Sequence, residues 1–140
     1  MKKIKAFLDL SAIISYLAGN ERLYKMFSSE LMEKVEYFIS FLIYQELLIA
    51  QSDSKGQLNF NKIKKSLNIG SPDPDKMTEY LKEIKQYKNA VHTNDFFVMG
   101  AAFSCDYLVT YDTDLQRLNV GDSIKVVSPE RFLEIADCHT

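Results

Sequence analysis

At 140 residues the chain has the length of one ordinary domain. Its content of 46 % apolar and 26 % charged residues excludes an intrinsically disordered polypeptide. No apolar stretch reaches the roughly 18–20 residues that a membrane span needs, and a net charge of −2 excludes a strongly basic nucleic-acid-binding surface.

The start Met1-Lys2-Lys3-Ile4 resembles a signal n-region, but Lys5 and Asp9 break the apolar run behind it, so secretion is not expected. Residues 4–9 read as a short buried strand that stops at Asp9. Ser11 stands where an N-cap belongs, ahead of a helix that ends at Gly19-Asn20. A second helix is expected from Glu21 to about Lys34, with Leu23, Met26, Phe27, Leu31 and Met32 as its apolar stripe. Val35 to Ile39 is the second strand, and Ser40 caps a helix that carries Glu46 towards Gln51. Asp53-Ser54-Lys55-Gly56 is a turn cluster, and 58–67 reads as a short helix. Gly70-Ser71-Pro72-Asp73-Pro74 is the clearest break, with Asp73 and Pro74 opening a helix over 75–88. Asn94 caps a helix over 95–104. Tyr107 to Thr110 is a strand, Asp112 to Leu118 a turn or short helix, and Ile124 to Val127 the last strand. Ser128-Pro129-Glu130 then carries the cap, first-turn proline and acidic first turn of a closing helix.

Continuously apolar strands alternating with helices predict an α/β fold, a three-layer α/β/α sandwich around a central parallel sheet of about 4–5 strands. No repeat or linker is evident, so residues 1–140 are expected to form a single domain. The cysteines, Cys105 and Cys138, form no disulfide framework, which fits a reducing cytoplasm. Cys105 reads as a small buried hydrophobe at a helix end.

Four carboxylates stand where a core would not choose them. Asp9 closes the first apolar run, Glu46 interrupts an apolar helix, Asp95 opens Phe96-Phe97-Val98-Met99, and Asp112 follows Tyr107-Leu108-Val109-Thr110-Tyr111. A buried carboxylate is costly unless it is paired or binds a metal. If the first strand and the strand before Asp112 are neighbours, about 4.8 Å apart, their end loops bring Asp9 and Asp112 together. Ligands in such folds bind at the carboxyl ends of the strands. Asp114 is an accessory candidate. Oxygen-only ligation suits Mg²⁺ or Mn²⁺ rather than zinc. Each residue also has a plainer role: Asp9 and Asp112 as turn residues, Glu46 as an exposed helix residue, Asp95 as a helix-dipole partner. Setting the four aside leaves 15 of the 19 acidic residues against 17 basic ones, so net charge does not exclude a polyanionic substrate.

Their order and context resemble the PIN-domain family of metal-dependent nucleases. Ala6-Phe7-Leu8-Asp9 resembles that family's first strand and its Asp. Glu46-Leu47-Leu48 resembles its helical Glu. Asp95 to Ala102, followed by Tyr107-Leu108-Val109-Thr110-Tyr111-Asp112-Thr113-Asp114, is the most specific match, and Val126 to Leu133 resembles the closing strand and helix. The resemblance implies that Asp9, Glu46, Asp95 and Asp112, with Asp114 accessory, hold one or two Mg²⁺ or Mn²⁺ ions and cut RNA. It also implies a homodimer and, as in VapC-type toxins, a small antitoxin partner that occludes the site. Leu10 departs from the family's usual Thr or Ser, which places the supporting hydroxyl on Ser11 or elsewhere. Leu115 replaces the usual Phe, and Cys105 falls where a small residue or Gly is usual.

Lys62, Lys64, Lys65, Lys82, Lys85 and Lys88, with Tyr80 or Tyr87, offer an RNA grip. Lys82 and Lys85, with Glu83, also suit an ordinary solvated helix face. His92 reads as a surface or polar-core residue. A non-catalytic PIN-like module that binds RNA or protein is the competing function. A phosphoacceptor or phosphatase domain using Asp9 is weaker, because position 11 lacks a second Asp.

Overall fold

Five short strands, β1 (Ile4–Leu8), β2 (Val35–Ile39), β3 (Leu67–Ile69), β4 (Tyr107–Val109) and β5 (Lys125–Val127), form one all-parallel sheet in the order β3-β2-β1-β4-β5. The computed structural model describes residues 2–70, 102, 105–118 and 124–139. Parallel neighbours cannot be joined by tight turns and need crossovers, usually helical. The described helices are α1 (Leu10–Leu17), α2 (Ser29–Met32), α3 (Phe41–Asp53), α4 (Thr113–Leu118) and α5 (Pro129–Asp137). The expected α/β fold with a central parallel sheet is present.

Sheet register explains the core. Ala6 of β1 pairs with Tyr37 on one side and Tyr107 on the other, and its small side chain leaves room for both rings. Phe132 of α5 packs against the two, with ring centroids 6.1 Å from Tyr37 and 5.6 Å from Tyr107. Phe27 lies 5.0 Å from Tyr37 and 4.8 Å from Tyr16, which extends the aromatic row to α1. Tyr37 is fully buried, and its hydroxyl donates to the Met26 carbonyl at 2.8 Å, so the ring enters the core without an unpaired polar atom.

Several boundaries differ from expectation for identifiable reasons. Asp9, not Ser11, is the N-cap of α1, and Ser11 is thereby released to bond elsewhere. The helix expected over 21–34 is broken into a 3₁₀ turn (Glu21–Leu23) and α2, because the side chains of Asn20 and Ser28 each cap a new start. Segment 58–67 is not a helix: two 3₁₀ turns (Phe60–Lys62 and Lys64–Ser66) lead into the unexpected edge strand β3. The caps at Ser40 and Ser128 are as expected, accepting from the N–H groups of Ile43 at 3.1 Å and Arg131 at 3.2 Å. The helix expected over 75–88 and, apart from residue 102, the one over 95–104 lie outside the described residues.

The chain lays down β1, β2 and β3 in one direction, then returns to the opposite side of β1 for β4 and β5. Connections therefore diverge at the β1–β4 boundary. The crevice beyond the carboxyl ends of those two strands is the topological switch point of the sheet.

Candidate functional site

Asp9 and Asp112 both stand at this crevice. Asp9 follows β1, and its N–H continues the ladder to the Val109 carbonyl at 3.0 Å. Thr110 continues β4, its N–H donating to the Val127 carbonyl at 3.0 Å. The ladder therefore fixes both backbones before any side chain contributes.

The side chains then interlock. Asp9 Oδ1 accepts from the Leu10 N–H at 2.9 Å, and Asp9 Oδ2 accepts from the Thr110 hydroxyl at 2.7 Å. Thr110 Oγ1 in turn accepts from the Asp112 N–H at 3.0 Å. Ser11 Oγ accepts from the Tyr111 N–H at 3.1 Å and lies 3.5 Å from Thr110 Oγ1. Asp112 Oδ1 accepts from the N–H groups of Asp114 (2.9 Å) and Leu115 (3.3 Å), which caps α4. Gln116 of α4 reaches back to donate to the Thr110 carbonyl at 2.7 Å. Thr110 is buried completely and is the hub of the network.

Electrostatics add a second feature. Burial raises the Asp9 carboxyl above its ordinary value; the hydrogen bonds from Thr110 and Leu10 oppose this, and the nearby charge of Asp112 raises it further. The two carboxylates are thus close enough to repel in a partly dry crevice. Asp9 takes bonds from Leu10 and Thr110 and a weaker one from the Ser11 hydroxyl, fewer than the roughly four sites a carboxylate offers, and no hydrogen bond reaches Asp112 Oδ2 among the described residues. Spare oxygen lone pairs on two converging carboxylates fit a hard divalent cation.

The other candidates are placed less decisively. Glu46 is half-buried on α3, between the buried Ile43 and Leu47, its carboxylate making no hydrogen bond or ion pair among the described residues. Asp114 is exposed and lies 3.9 Å from Arg117 in a loose surface pair. Asp95 lies outside the described residues, as do Lys82, Lys85, Lys88, Tyr80, Tyr87 and His92. Among the described residues no three Asp, Glu, His or Cys side chains gather as a metal cluster. Lys62, Lys64 and Lys65 are exposed, with the Lys64 ammonium 5.6 Å from the centre of the Tyr44 ring.

Sequence reasoning singled out neither Thr110 nor the cluster beyond it. Tyr111 donates its hydroxyl proton to Glu130 at the start of α5, and the same oxygen accepts from Asn20 Nδ2 at 3.2 Å. Burial and the Glu130 bond both raise the Tyr111 phenol. Asn20 Nδ2 also donates to Ser15 Oγ at 2.9 Å, so three elements meet beside Asp112. A hydroxyl ending an otherwise apolar strand was the available signal for Thr110. In the sequence it reads as an ordinary β-former.

No family model matches the sequence, and no curated protein matches it. Solved structures do resemble the fold. One is a chain in the crystal structure of VapBC2 from Rickettsia felis bound to a DNA fragment from its promoter, with TM-score 0.66 and 17 % identity over 89 % of this chain and 98 % of that one. Another is a chain of VapBC-1 from nontypeable Haemophilus influenzae, with TM-score 0.64 and 18 % identity over 90 % of this chain and 98 % of that one. The chain shares with them a PIN-like α/β fold.

Proposed function

We propose that the chain is a divalent-metal-dependent endoribonuclease of the PIN-domain, VapC-like type, the toxin of a toxin–antitoxin pair. The observation that carries this reading is the juxtaposition of Asp9 and Asp112 at the β1–β4 switch point, with Asp9 raised by burial and by its neighbour's charge. Two repelling carboxylates with spare lone pairs are an unfavourable arrangement that a Mg²⁺ or Mn²⁺ ion would relieve. The likeness to chains of VapBC complexes supports the family and the antitoxin partner.

In this reading Asp9, Glu46, Asp95 and Asp112 hold the metal, with Asp114 accessory, in a single domain spanning 1–140. When bound, the ion supplies activation of a water and neutralisation of charge on the scissile phosphodiester. Thr110 and Ser11 hold the Asp9 carboxylate and the Tyr111–Asp112 backbone in place, supplying the hydroxyls that Leu10 lacks. The anionic pair on its own repels phosphate, so the scissile phosphate enters between the carboxylates only once their charge is offset, while contacts elsewhere on the chain do not need the ion. A cytoplasmic homodimer completes the reading.

The test is cleavage of single-stranded RNA with Mn²⁺, with and without EDTA. Wild type cuts, EDTA stops it, and Asp9→Asn and Asp112→Asn lose at least about 100-fold. Asp9→Asn cutting as well as wild type overturns the site. RNA that is bound but never cut identifies a non-catalytic binding module instead.

A further inference from the structure

We propose that a groove at the carboxyl end of α1 binds an unstacked base of single-stranded RNA, a subsite distinct from the acidic pair; it rests on the ribonuclease reading above. The groove encloses about 320 Å³ between the end of α1, the turn after it and the loop after α3, with Tyr16, Asn20, Glu21, Tyr24, Asn59 and Lys62 among its walls. That volume suits a ligand of the size of one nucleotide.

The wall chemistry is that of a nucleobase with its phosphate attached. Tyr24 is 69 % exposed, an aromatic ring on which a base can stack. The Lys25 ammonium lies 5.9 Å from the centre of that ring, and Lys62 is exposed with no ion pair among the described residues. Both cations are therefore available to phosphate. Asn59 Oδ1 accepts from the Asn61 N–H at 3.1 Å, which leaves its amide protons without a partner among the described residues and open to the edge of a base. Glu21 in the same wall can accept from an exocyclic amino group and repels phosphate, so the base sits inside and the phosphate at the Lys62 rim.

The groove is tied rigidly to the acidic pair. Asn20, in its wall, donates to the hydroxyl of Tyr111, the residue before Asp112. The eight residues of α1 separate the groove from Asp9 by about 12 Å along the helix. A strand seated at one end of α1 is thus held at a fixed offset from the carboxylates at the other.

The experiment is fluorescence anisotropy of a labelled single-stranded RNA oligonucleotide in EDTA, so that nothing is cut. Tyr24→Ala is expected to weaken binding by about 5- to 150-fold, and Tyr24→Phe to stay within about twofold of wild type. Lys62→Ala lowers the slope of log affinity against log salt by about 0.7. Tyr24 and Lys62 are exposed, so both variants keep the fold, checked by their melting temperatures. Tyr24→Ala binding RNA as tightly as wild type overturns the subsite, including the case in which the groove takes a protein segment instead. If that result accompanies loss of cleavage in Asp9→Asn, the subsite falls and the nuclease reading stands. If wild type neither binds nor cuts RNA, both fall.

Discussion

The two ends of α1 are built on opposite plans. At its start, Asp9 is drawn into the crevice and locked to the segment after β4 through Thr110 and Ser11, by contacts of 2.7 to 3.5 Å. At its finish, Gly19 takes a φ of +92°, the N–H groups of Gly19 and Asn20 close back on the carbonyls of Tyr16 and Ser15, and the neighbouring Tyr24 stands in solvent. One end concentrates polar groups where water is scarce; the other leaves apolar and cationic groups uncovered. Buried polar groups couple chemistry to folding, since losing one partner strands the other. Exposed side chains such as Tyr24 and Lys62 do not, so they can be altered without altering the fold.

Thr110→Val should have the largest effect on stability. It removes the donor to Asp9 Oδ2 and the acceptor of the Asp112 N–H while keeping the shape, at a cost of about 1–3 kcal/mol for the groups left unpaired. Urea unfolding measures it, and a variant as stable as wild type would break the contrast between the two ends. Gly19→Ala comes next, at about 1–2 kcal/mol, from backbone conformation alone: a Cβ there meets no atom within 4 Å. Thermal melts should show Gly19→Asn costing less, because Asn tolerates a positive φ better.

The smallest effect is a pH dependence of the metal-free chain. Asp9 is raised, so the folded state binds its proton more tightly than the unfolded state does. Stability therefore falls as pH rises from the ordinary aspartate range through the Asp9 titration. Asp9→Asn should flatten that slope in EDTA, read from melting temperatures across a pH series. An unchanged slope would assign the dependence to another group.

What was legible in the sequence follows the same division. Asp9 and Asp112 were readable because each ends an apolar strand, and pairing of those strands could be inferred. The closing helix was readable because Ser128, Pro129 and Glu130 each act locally. Tertiary roles were not readable. Ser11 looked like a cap, and only the proximity of Tyr111 shows why it is used elsewhere. Strand β3 was hidden because Leu67-Asn68-Ile69 is an edge segment with two exposed residues, and its pairing to β2 is non-local. Ser28 interrupts an apolar period that read as one helix, since a cap inside a periodic stretch is indistinguishable from a solvent-facing serine until the chain turns. Glu46 stood out by interrupting apolar residues, and α3 does leave Phe41, Leu42, Leu48 and Ile49 exposed around it. Its helix is apolar on nearly every side, so periodicity alone could not tell which face turns inward.

The central claim is that Asp9 and Asp112 together receive a divalent cation. Mn²⁺ binding followed by electron paramagnetic resonance tests it without reference to any substrate. Wild type should bind the ion, and Asp9→Asn and Asp112→Asn should each weaken binding by about tenfold or more. Folded wild type that takes up no Mn²⁺, or two variants that bind it as wild type does, would contradict the account.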